Sequence, residues 1–151
     1  MAENEKIYNE IRKKHNLPEY NDIEREFEIS SIESEQLLRH IPLKIGEKLE
    51  FFTHLLEEVL QPEAMHAMHE SRYLTEPQRK NLYELYKKIM FMNRQIAELS
   101  LVRSDKEDSQ FIISFMAEWK SIKKELLEFV KMIKDSWKSE AEIDEKVRYV
   151  G

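Results

Sequence analysis

The stretch DKEDSQFIISFMAEWKSIKKELLEFVKMIKDSWKS, residues 105–139, decides the fold class. Within it Ile112, Phe115, Trp119, Ile122, Leu126, Phe129, Ile133 and Trp137 follow at steps of three or four. That spacing keeps side chains on one face of an α-helix. Ser104-Asp105-Lys106-Glu107 just before it has the form of a capping box, in which Ser and Glu satisfy free amides at a helix start. The pattern predicts one helix over 105–139, roughly 50 Å long at 1.5 Å per residue.

Two segments upstream repeat this pattern. Leu82, Leu85, Ile89, Met92, Ile96 and Leu99 predict a helix over 76–103, and Thr75-Glu76-Pro77-Gln78 supplies an N-cap, a first-turn proline and a capping-box Gln. Leu38, Ile41, Ile45, Leu49, Phe52, Leu56 and Val59 predict a third over 34–61, closed by Gln61-Pro62. Pro42 falls inside it, so either a new helix starts there or a longer one kinks. Gly46 shares a face with Thr53; because a mid-helix Gly costs roughly 1 kcal/mol against Ala, it predicts close approach of another backbone.

The N-terminal residues add a smaller layer. Asn21-Asp22 can cap a helix carrying Ile23, Phe27 and Ile29, while residues 3–15 predict a polar helix with only Ile7, Tyr8 and Ile11 to bury. Leu17-Pro18 separates the two, since a residue before Pro avoids the α region. Residues 1–20 and 140–151 are expected to be the less ordered ends of a single domain spanning 1–151. The reading is all-α, an antiparallel bundle of about four helices. An extended helical hairpin dimerising as a coiled coil fits the heptads equally.

Composition narrows the function. At 151 residues the chain can bury roughly 70% of its unfolded surface without a metal or disulfide staple. Gly46 is the only internal glycine, where average usage gives about ten, and this excludes Walker, dinucleotide and nucleophile-elbow loops. The absence of cysteine excludes thiol nucleophiles, thiolate metal sites and a disulfide scaffold. No apolar run reaches the length of a membrane span and Met1-Ala2-Glu3-Asn4-Glu5 lacks a leader pattern, so the cytosol is the expected compartment.

Three groups of residues are candidates for function. The densest histidine cluster supplies Glu63, His66, His69 and Glu70, enough nitrogen and oxygen for a divalent metal if the connection is helical, with Met65 and Met68 as soft ligands beside them. Its order matches neither zinc-protease motif, and a di-iron bundle would need a second Glu-x-x-His on another helix. Cofactors are therefore expected to be none, with this cluster as the one metal alternative.

The second group is a basic ridge, Lys120, Lys124, Lys131, Lys134 and Lys138, within an arc of roughly 100° on the last helix. It reads as a solvated flank or as a polyanion surface; the overall charge of −6 and the lack of interleaved aromatics disfavour nucleic acid. The third group is aromatic. Phe91 lies opposite the main stripe of its helix, and Phe51, Tyr83, Tyr86 and Met90 widen the apolar arcs further. Either the N-terminal helices cover these side chains or they form a patch for a second copy or another protein.

No catalytic residue stands out. With 30 acids, pairs of carboxylates are everywhere, and none of the five aspartates is placed on an apolar stripe. His54 between Glu50 and Glu58 reads as an outward helix-surface row, His15 as a cation at a helix C-terminus, and His40 has no partner by spacing. The sequence favours a non-catalytic, self-associating interaction module without a membrane partner or an identifiable small-molecule substrate.

Overall fold

The structure, a computed structural model, describes residues 2–138. Six α-helices and two short 3-10 turns account for nearly all of them, with no strand among the described residues, and the fold is an all-α helical bundle. The three long helices are α3 (Leu37–Leu60), α5 (Glu76–Val102) and α6 (Asp105–Lys138); shorter ones are α1 (Ala2–His15), α2 (Tyr20–Phe27) and α4 (Met65–Ser71). The tail after Lys138, including all of the expected C-terminal end over 140–151, lies outside the described residues.

The long helices begin and end where local chemistry directs. At the start of α5, Gln78 N–H donates to Thr75 Oγ1 at 3.2 Å and Thr75 N–H donates to Gln78 Oε1 at 2.9 Å, a reciprocal capping box. At the start of α6, Glu107 N–H donates to Ser104 Oγ at 3.3 Å. Between these helices Arg103 turns the chain in the left-handed region, φ 56°, and its N–H closes on the Leu99 carbonyl. Pro42 neither starts nor breaks α3: the helix runs through it, preceded by a 3-10 turn over Ser34–Gln36.

Two compact units divide the chain, and each long helix contributes a part to both. The first takes residues up to Phe51 together with Ile89–Lys120. Its interior holds Ile41, Ile45, Leu49, Ile96, Ile112 and Phe115, each worth roughly 1.5–3 kcal/mol when removed from water. Phe27 of α2 meets Phe115 edge-on and tilts against Trp119, whose Nε1–H donates to Glu26 at 3.0 Å. Lys48 lies over both Phe27 and Trp119 and donates to the Glu26 carbonyl, which locks α2 down.

Polar bonds tie the N-terminal segment to the chain that follows it. The buried Asn4 amide donates to the carbonyls of Ile29, Ser30 and Ile32. Tyr8, fully buried, donates its hydroxyl to the Pro18 carbonyl at 2.6 Å, and Arg12 Nε donates to the Leu17 carbonyl. Burial pushes the Tyr8 phenol well above its ordinary range despite Arg12 nearby, so it stays protonated as the donor. Gly46 departs from expectation: a Cβ there would meet the Ile96 side chain at 3.4 Å, not another backbone.

The second unit takes Phe52–Lys88 and the part of α6 from Ser121. Leu56, Val59, Leu85, Ile122, Leu126 and Phe129 fill its interior. The connection whose state the sequence left open contains α4, which sends Ala67, His69 and Ser71 inward. No helix is long and apolar enough to cross a membrane among the described residues.

Candidate functional site

Within the second unit, the last turns of α3, the approach to α4 and the first half of α5 line an open groove of about 1080 Å³. Glu57, Glu58, Glu63 and Glu76 make its rim acidic against Arg79 and Lys80, and Tyr83 and Tyr86 form an aromatic wall. Those two rings stack with centroids 6.4 Å apart, and Tyr86 donates its hydroxyl to Glu57 at 2.6 Å. Helical spacing brings this about: Tyr83 and Tyr86 are three residues apart, so their rings stand one above the other.

Glu58 is the junction of the rim. One carboxylate oxygen pairs with His54 Nε2 at 3.1 Å and the other with His66. The His54–Glu58 pair was legible from its i,i+4 spacing; His66 joins through α4, a contact no local pattern encodes. An acidic rim with a half-exposed tyrosine attracts cationic side chains and offers a ring to stack on.

The structure splits the histidine cluster. Glu63 lines the groove, and His66 points to Glu58. His69 faces the interior, where its Nε2–H donates to the Ser136 carbonyl at 3.2 Å and its ring packs 4.1 Å from Trp137 and 5.2 Å from Tyr73. Glu70 accepts from Trp137 Nε1–H at 2.9 Å. The four side chains thus serve three different contacts. Among the described residues no group of three or more His, Asp or Glu is placed to hold a metal ion. Met65 and Met68 project outward, exposed.

The aromatic candidates are at the surface. Phe51 is 62% exposed and Phe91 66%, with Tyr83 half exposed and Tyr86 and Met90 partly covered. The lysines of the ridge are all exposed, and Lys134 lies 3.8 Å from Asp135. No protein-family model matches the chain, and comparison with curated proteins and with solved structures finds no similar protein.

Sequence reasoning missed Asp108. It stands four residues before Ile112, hence on the buried stripe of α6, and is 2% exposed. Burial pushes its carboxyl above the ordinary range; Arg39 pulls the other way, and Asp105 and Glu107 add repulsion. Extending the Ile112 stripe one step toward the N-terminus would have found it.

Proposed function

We propose that this chain is a non-catalytic helical interaction module that associates with a second copy of itself in the cytosol through the exposed aromatic surface carried by Phe51 and Phe91. The single observation behind the reading is the exposure of these two rings. A helix normally turns its large apolar groups inward, and large apolar side chains gathered on an exposed surface favour burial against another protein.

The N-terminal helices could have provided that cover within the chain. Their large apolar side chains are committed elsewhere: Tyr8 and Tyr20 pack edge to face, and Phe27 sits on Phe115 and Trp119. A second copy is the simplest partner, because a two-fold contact uses one patch twice. Light scattering on the purified chain is expected to give a mass near twice 18.3 kDa at high concentration. Phe91→Lys combined with Phe51→Lys is expected to return the mass of one chain with helical content unchanged. A wild-type chain that stays monomeric at every concentration would refute the proposal.

A further inference from the structure

The first unit contains a feature outside this association surface. Asp108 is an interior carboxylate whose side chain is only 3% exposed, and its Oδ2 has no hydrogen-bond partner. The nearest cation, Arg39, stands 3.9 Å away, beyond hydrogen-bond reach, and makes its shorter contact, 3.4 Å, with Asp105 instead. Buried carboxylates are normally satisfied, because a desolvated acceptor without a donor is costly.

Asp108 lines a cavity of about 170 Å³. A water takes roughly 30 Å³ of liquid, and a cavity of about 150 Å³ accommodates a benzene ring, so the space suits a compact organic molecule better than one water. Its wall has three charged or apolar parts, alongside the polar side chains of Gln36, His40 and Ser100. Asp108 requires a donor. The Arg103 guanidinium presents donors and requires an acceptor, whereas Arg39 beside it already donates to Asp105 at 3.4 Å. Pro42, Leu43, Ile96 and Leu99 are apolar and require a hydrocarbon.

We infer that this cavity binds a free amino acid with a small aliphatic side chain. Its ammonium donates to Asp108 Oδ2, its carboxylate accepts from Arg103 and Arg39, and its side chain lies on Ile96 and Leu99. A simple anion would meet the Asp108 charge, and a simple amine would leave the Arg103 guanidinium unused. Only a zwitterion answers both signs at once. Arg103 is suited to this work because among the described residues it has no ion-pair partner of its own.

The test is calorimetric titration of the full chain with leucine, valine and alanine, beside 4-methylpentanoate, which lacks the amine, and isoamylamine, which lacks the acid. One aliphatic amino acid is expected to bind saturably with neither analogue competing, and Asp108→Asn and Arg103→Ala are each expected to weaken it about tenfold or more, a change of about 1.4 kcal/mol. Arg103 is exposed, so its variant reports even if Asp108→Asn fails to fold. No heat from any aliphatic amino acid up to about 10 mM, equal binding to both variants, or a crystal grown with the ligand that shows only water on Asp108 would each overturn the inference.

Discussion

His69 and Asp108 are both polar and both interior, yet their surroundings are opposite. His69 in the second unit is closed in: Ser136 accepts its proton, and Trp137 and Tyr73 cover its faces. Asp108 in the first unit has an oxygen with no donor and borders a cavity. A buried polar group with its bonds made behaves as part of the core, whereas one left unsatisfied marks where something else belongs. The histidine that spacing offered as a metal ligand packs into the interior, and the aspartate that spacing passed over keeps an oxygen without a donor.

Breaking the closed side should have the larger effect. His69→Ala removes a packed ring and strands a carbonyl, so it is expected to cost about 2–4 kcal/mol in urea unfolding. A loss below about 0.5 kcal/mol would show that the histidine is not a core residue. Within the first unit, Gly46→Ala tests whether the looseness around Asp108 is local. Its new methyl would touch Ile96 at ordinary contact distance while gaining helix propensity, so a stabilisation of about 0.5–1 kcal/mol is expected. Destabilisation would mean that the Ile96 packing has no room to yield.

Much of the architecture was legible because it depends on neighbours along the chain. The three stripes placed α3, α5 and α6 to within three residues, and Thr75-Gln78 and Ser104-Glu107 fixed two helix starts through bonds that span three positions. The same periodicity hid the polar interior. A stripe is recognised by its hydrocarbons, so Asp108 before Ile112 and His69 after His66 read as flanks. What decides their environments comes from far away in sequence: Ser136 is 67 residues from His69, and Arg39 approaches Asp108 from α3. Asn4 was unreadable for the same reason, since its three carbonyl partners lie 25 to 28 residues on. The exposed aromatics occupy a middle position: their angular place was visible, and only the packing of Tyr8, Tyr20 and Phe27 shows that the N-terminal layer is engaged elsewhere.

The most direct measurement of the contrast is the unfolding free energy of Asp108→Asn against wild type from neutral pH down to about pH 3, a range that spans the ordinary carboxylate value. Because the carboxyl is raised in the folded chain by burial, the native state binds the proton more tightly than the unfolded one. The Asp108 penalty is therefore full above the raised value and fades as pH falls toward the ordinary value of 3.8. The variant should be the more stable protein at neutral pH, by less than about 1 kcal/mol, and the two should converge at the acid end. A variant less stable than wild type at neutral pH, with the gap closing in acid, would show that the Asp108 charge is satisfied in the fold and would contradict the account.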